Sequence, residues 1–368
     1  MSATFAPVPA LAGGPASAHR SAWLFSAPVD LGVFLGSSLL ALGVLFAGKL
    51  LGLAGGDTPD WTWVPAVLLV DVAHVYATGF RAYLDRGEFR SRRVFYSAVP
   101  VIGFAVGVVL YSQGAIVFWR ALAYLAVFHF VRQQYGWVAL YRRRAGETSR
   151  VGFLVDSAAI YAATLYPLIY WHAHLPRRFW WFVADDFAIS LPRFVSSFLA
   201  PVYVLILSAY AAFAIYDWTT TRRASPGKHV VVATTALCWY VGIVACNSDF
   251  AFTVTNVFIH GIPYLALVFW FARSRATSPE AGGLLRALIS RGPVAFLGVL
   301  WLCAYAEEVL WDRAVWHDRA WLFGSPWHLD SLQIWVVPLL AVPQLTHYVL
   351  DGFLWRRRDM SGGTTLAA

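Results

Sequence analysis

Four histidines of this chain, His74, His129, His260 and His347, lie deep inside apolar segments. Each has a polar residue three or four positions away, the spacing that puts two side chains on one face of a helix. The partners are Asp71 for His74, Gln133 for His129, Asn256 for His260, and both Gln344 and Asp351 for His347. Imidazole binds a metal in its neutral form, and a carboxylate or carboxamide one turn away can orient the ring or supply a further ligand. The pattern predicts a metal site formed by the four histidines with Asp71 and Asp351, oriented by Gln133, Asn256 and Gln344. A single histidine in such a segment would more simply hydrogen-bond a neighbouring helix.

Histidine with some carboxylate suits iron, zinc or copper. A site in hydrocarbon is reached by lipid-soluble substrates and by dioxygen, so oxidation at non-haem iron, with one ion or two, is the leading expectation. Two alternatives use the same residues: a haem b electron carrier with paired axial histidines, and a proton-coupled transporter relaying through Asp71, His74, His347 and Asp351. Tyr135, Tyr264 and Tyr348 recur beside the histidines and are the expected hydrogen-bond donors to a reacting oxygen. Arg132, three residues after His129, is the candidate for binding an anionic group of the substrate. Gly261 and Pro263 beside His260 are expected to loosen their helix and turn backbone groups towards a cavity.

The elements that must position these residues follow from composition. Of 368 residues 59% are hydrophobic and 13% are charged, whereas a soluble domain carries about 25% charged residues. Apolar stretches of helical length run over 29–54, 61–83, 93–113, 115–140, 151–172, 195–217, 229–247, 250–272, 292–311 and 331–355. The fold class is all-α, a polytopic transmembrane helical bundle of about ten spans. Residues 1–22 and 359–368 read as flexible tails and 23–358 as one transmembrane domain. No signal peptide is discernible in 1–22.

Arginines crowd alternate connections. Arg81, Arg86, Arg90, Arg92 and Arg93 follow the second span; Arg142, Arg143, Arg144 and Arg150 the fourth; Arg222, Arg223 and Lys228 the sixth. Arg273, Arg275, Arg286 and Arg291 follow the eighth, and Arg356, Arg357 and Arg358 the tenth. The positive-inside rule then puts both termini in the cytoplasm, in a membrane expected to be a bacterial inner membrane. The opposite connections, 173–194 and 312–330, are aromatic and predicted to lie along the interface as short amphipathic elements. The four histidines all sit on even-numbered spans, which run in one direction, and precede Arg81, Arg142, Arg273 and Arg356 of the arginine-rich side by 7, 13, 13 and 9 residues. At about 1.5 Å per residue this places all four roughly 10–20 Å from the arginine-rich boundary, in one slab.

The net charge of +8 is accounted for by these loops, so nucleic acid is not an expected partner. Membrane lipid, a lipid-soluble substrate, dioxygen and a redox partner are. Cys238, Cys246 and Cys303 lack the spacing of a zinc or disulfide framework. Glu307 and Glu308 lie at another depth and read as pathway carboxylates. The clustered HxxxH and HxxHH boxes of membrane fatty-acid desaturases are absent. Single histidines spread over separate spans are similar in design to the Brp/Blh-type β-carotene dioxygenases, whose paired HxxxH is also missing here. That resemblance implies an oxidative site between helices and does not carry carotenoid cleavage with it.

Overall fold

The computed structural model describes residues 22–53, 55–221 and 225–354. Its helices include ten that are long and apolar enough to cross a membrane. In chain order they are α1 (Ala27–Leu50), α2 (Asp60–Ala82), α3 (Arg93–Ser112), α4 (Ala115–Ala145), α5 (Arg150–Ala173), α6 (Arg193–Thr220), α7 (Pro226–Ala245), α8 (Asp249–Ala276), α9 (Pro293–Trp316) and α10 (Asp330–Leu354). No strand occurs among the described residues. The ends of α4 show why the segments stop where they do. Gly114 precedes it at φ 125°, and Gly146 closes it in the left-handed region at φ 67°, conformations that glycine adopts most readily.

The apolar residues sort the helices by position. α8 is buried along almost its whole length, including Phe250, Val254, His260, Tyr264 and Val268. It packs against α1, α2 and α7 and touches α4. α3 and α6 sit at the rim and expose rows of apolar side chains, such as Val101, Ile102 and Val109 or Phe194, Phe198 and Leu205. Exposed apolar area on this scale suits hydrocarbon and not water. α10 lies across α2, α3 and α4. Helices α2, α8, α4 and α10 therefore surround one volume, and these are the four that carry the histidines.

Several of the positive residues expected in loops are instead buried braces between helix ends. Arg142 pairs with Asp156 and, at 2.9 Å, with Glu147; Lys228 reaches the same carboxylates at 3.0 and 2.7 Å. Arg81, 2% exposed, pairs with Glu88 at 3.1 Å and lies over the Phe271 ring. Arg275 binds Asp85, which also caps residues 86–91. A buried charge is tolerable only when paired in this way. Arg222, Arg223, Arg356, Arg357 and Arg358 and both tails lie outside the described residues.

The connection between α5 and α6 differs from the expected amphipathic element. Residues 175–192 contain no helix, and Phe179, Trp181 and Phe187 turn inward against Trp171 and Phe252. One buried side chain holds the turn: Asp186 accepts hydrogen bonds from the backbone N–H groups of Trp181, Phe182 and Val183 at 2.9, 2.6 and 3.3 Å. Burial raises the Asp186 carboxyl above the usual carboxylate range, against the pull of those donors. The second aromatic connection contains only short helical turns, including Ala320–Phe323.

Candidate metal centre

His74 enters the centre from a widened stretch of helix. Residues 64–72 of α2 follow wide π-type turns, and regular α-helix resumes at Ala73. Such widening is rare and recurs at functional sites. It brings Asp71 to the same face as His74, with Oδ1 3.6 Å from His74 Nδ1. Across from it, Gly261 of α8 fits against Val70. A Cβ on Gly261 would lie 2.6 Å from Val70 Cγ1 and 3.1 Å from the Val70 carbonyl oxygen. Gly261 therefore permits close approach of two backbones and does not loosen α8, which runs unbroken through Pro263.

The four imidazoles form a closed ring. Centroid separations are 4.6 Å for His74–His260, 5.2 Å for His260–His129, 4.6 Å for His129–His347 and 4.8 Å for His347–His74, each pair edge-on or steeply inclined. One nitrogen from each ring lies within 4.8 Å of the other three. His74 and His260 face each other through their Nε2 atoms at 3.0 Å. Nε2 of His129 and Nε2 of His347 are buried with no hydrogen-bond partner. All four residues are at most 5% exposed.

Counting hydrogens fixes the tautomer of one ring. Tyr264 donates its hydroxyl hydrogen to Asp351 Oδ1. It can then only accept from Thr78, whose Oγ1 is 2.9 Å away. With its one hydrogen used, Thr78 must accept from His347 Nδ1, at 2.7 Å. The Nδ1 of His347 thus carries the proton, and its Nε2 presents a lone pair. A buried lone pair without a donor costs about 1–3 kcal/mol, and a cation at the centre of the ring would remove that cost. Four tetrahedral bonds of about 2.0–2.1 Å put the ligating nitrogens about 3.4 Å apart. The observed maximum of 4.8 Å therefore needs the farthest pair to close by about 1.4 Å, shared between its two rings.

The surroundings orient the remaining rings. Phe130 stacks flat on His260, with centroids 3.5 Å apart and planes at 7°. Gln133 Nε2 donates to the His260 carbonyl oxygen at 2.9 Å and ties α4 to α8. The Tyr348 ring lies 4.8 Å from that of His129, and its hydroxyl accepts from Gln344 Nε2 at 2.8 Å. Asp351 Oδ2 is 4.0 Å from His129 Nε2, and Asp351 Oδ1 is 4.0 Å from His347 Nδ1.

Several sequence-derived partners sit elsewhere. Gln344 serves Tyr348 and not His347. The Asn256 amide bonds its own helix, at Phe252 O and Thr255 Oγ1, and not the His260 ring. Tyr135 stacks on Tyr161 and supports the Arg132 guanidinium on its face; it makes no ring contact with the four histidines. Arg132 bonds the Tyr161 hydroxyl at 2.5 Å. Tyr135 and Arg132 do line a cavity that reaches His129. Glu307 and Glu308 are buried, with Glu307 Oε1 accepting from Trp311 Nε1 at 3.1 Å. Thr78 and Phe130 were not singled out from sequence. Thr78 did carry a signal, since it follows His74 by one helical turn. Phe130 had none, because its role depends on a different helix.

No family model, curated protein or solved structure matches the chain. The buried four-histidine group and the many apolar helices are compatible with a membrane metalloprotein.

Proposed function

We propose that this chain is an integral membrane metalloenzyme, a non-haem iron oxidoreductase acting on a lipid-soluble substrate, in which His74, His129, His260 and His347 hold the metal. The observation that carries the reading is the closed ring of imidazoles in which Nε2 of His129 and Nε2 of His347 have no partner in the protein, while Nε2 of His74 and of His260 meet only each other. Histidines that only tie helices together would each be matched to a donor or acceptor, because an unmatched polar group in hydrocarbon is costly.

Three observations favour redox chemistry over a closed structural site. Asp71 and Asp351 stand within 3.6–4.0 Å of ring nitrogens, near enough to orient a ligand or become one. No cysteine belongs to the group, so the donors are imidazole with carboxylate in reserve, a set suited to iron. A cavity opens onto His129, Tyr348 and Asp351, which gives a substrate access. Haem fits less well, since its two axial histidines need a flat macrocycle between them, and here the other two imidazoles occupy that plane. A transporter would need groups strung along a path, whereas these close on a point.

Iron bound here would supply one-electron chemistry with dioxygen. The chain's own residues do the rest. Thr78 holds His347 in the tautomer with Nε2 free, Asp71 faces Nδ1 of His74, Tyr264 fixes Asp351 with its hydroxyl hydrogen, and the Tyr348 hydroxyl, which accepts from Gln344, is the donor toward a reacting oxygen. Both termini lie in the cytoplasm of a bacterial inner membrane on this reading, with a redox partner docking on the arginine-rich side. The test is to load purified protein in lipid nanodiscs with Fe(II) without air and then admit dioxygen. Bound iron should turn ferric by electron paramagnetic resonance, with no Soret band. A Soret band in the protein as isolated, or retention of zinc in preference to iron with no ferric signal, would overturn this function.

A further inference from the structure

A cavity of about 1310 Å³ runs between α4, α5, α8 and α10. Its inner end is formed by His129, Tyr264, Tyr348 and Asp351, and its outer end by residues 142–150 of the turn joining α4 to α5. Between them the walls are mostly apolar. Phe128, Phe153 and Leu165 are 62%, 44% and 44% exposed, so the cleft is open on the bilayer side. From His129 to Arg143 along α4 is about 20 Å at about 1.5 Å per residue.

The charges along this cleft differ in what they already bind. Arg142 is committed to Glu147 and Asp156, and Arg132 to the Tyr161 hydroxyl and the Tyr135 ring. Arg143 and Arg150 also line the cleft, and among the described residues neither side chain has a hydrogen bond or ion pair. A cleft that is apolar along its length, cationic at one end and histidine-lined at the other is complementary to one shape of molecule. We propose that it takes a long-chain amphiphile with an anionic head, the head bound by Arg143 and Arg150 and the chain extending inward to His129 and Tyr348. This names the substrate class for the metal reading above and rests on that reading for what happens at the inner end. The head chemistry is an anionic oxygen group, which a free carboxylate or a phospholipid phosphate would both supply.

Photolabelling of the full chain in phosphatidylcholine nanodiscs tests this. Two long-chain carboxylate probes carry a diazirine, one beside the carboxylate and one near the far end of the chain. The first should label residues around 143–150 and the second residues around His129 and Tyr348. The matching long-chain alcohol should label about tenfold less, as should the Arg143→Gln/Arg150→Gln protein, since a hydrogen bond to a charged group contributes about 1.5–3 kcal/mol. Competition by added phosphatidylglycerol would assign the head to a phospholipid; its failure to compete would assign a free carboxylate. Label spread over bilayer-facing residues such as Phe194 and Phe198, or equal labelling by alcohol and carboxylate, would overturn the proposal. So would loss of labelling in Arg132→Gln with Arg143→Gln/Arg150→Gln unaffected. His260→Ala separates the two claims, because His260 is not in the cleft. It should lose metal and keep the labelling pattern, whereas a metal-replete protein without the pattern refutes the cleft alone.

Discussion

Thr78→Val replaces a hydroxyl by a methyl of nearly the same volume and leaves α2 otherwise intact. In the native protein Thr78 Oγ1 receives the Nδ1 proton of His347 at 2.7 Å and passes its own hydrogen to Tyr264 at 2.9 Å. The valine does neither, so the Nδ1–H of His347 is left buried against a methyl. The unmet donor costs about 1–3 kcal/mol, and the ring can lower that cost by moving its proton to Nε2, the nitrogen that should bind metal. Metal affinity should therefore fall by about 10–100-fold, the range found when a group orienting a ligand is removed. Thr78→Ser should stay near the native value, because it keeps the hydroxyl. Tyr264→Phe should lie between the two, since it removes the acceptor for the Thr78 hydrogen but spares the contact to His347. The assay is competition of purified protein against a calibrated chelator for Fe(II) or Co(II). Equal affinities for Thr78→Val and native protein would refute the assigned tautomer and with it the use of His347 Nε2 as a ligand.

Asp71→Asn should weaken metal binding by about 10–100-fold if its carboxylate only orients His74, and complete loss of metal on chelator competition would make Asp71 a ligand instead. Gly261→Ala puts a methyl 2.6 Å from Val70 Cγ1; overpacking of this kind costs about 1–3 kcal/mol. It should lower both thermal stability and metal affinity, with partial recovery in Gly261→Ala/Val70→Ala; an unchanged melting temperature would refute the close-approach role. Reporter fusions after Arg93, Arg144, Arg223 and Arg358 should all read cytoplasmic, and a C-terminus on the other side would break the proposed orientation.

The ten apolar helices were legible because hydrophobic length is a one-dimensional property, and the observed ends fall within a few residues of the expected ones except in α4 and α9, which continue five residues further, to Ala145 and Trp316. The convergence of the four histidines was legible for a related reason. Depth along a helix is linear in sequence, and four residues at one depth on helices of one direction need only correct rotation to meet. Rotation and neighbour identity are not linear in sequence. Gln344 and Asn256 have the right spacing from their histidines, yet Gln344 finds Tyr348, and Asn256 finds the backbone of its own helix. The stacking of Phe130 on His260 and the ion pairs of Arg142 and Lys228 depend on which helices become neighbours. The fit of Gly261 against Val70 was misread because a helical glycine beside a proline looks like a break until the opposing backbone is known.

The central claim is that His74, His129, His260 and His347 together hold a metal ion. Elemental analysis of the protein purified from iron-replete, oxygen-free culture tests it most directly, run beside His→Ala at each of the four positions. The native protein should hold bound transition metal, near one or two ions per chain. Each variant should insert into the membrane in normal amount and lose that metal. Native protein free of metal, or four variants that keep their full metal content, would contradict it.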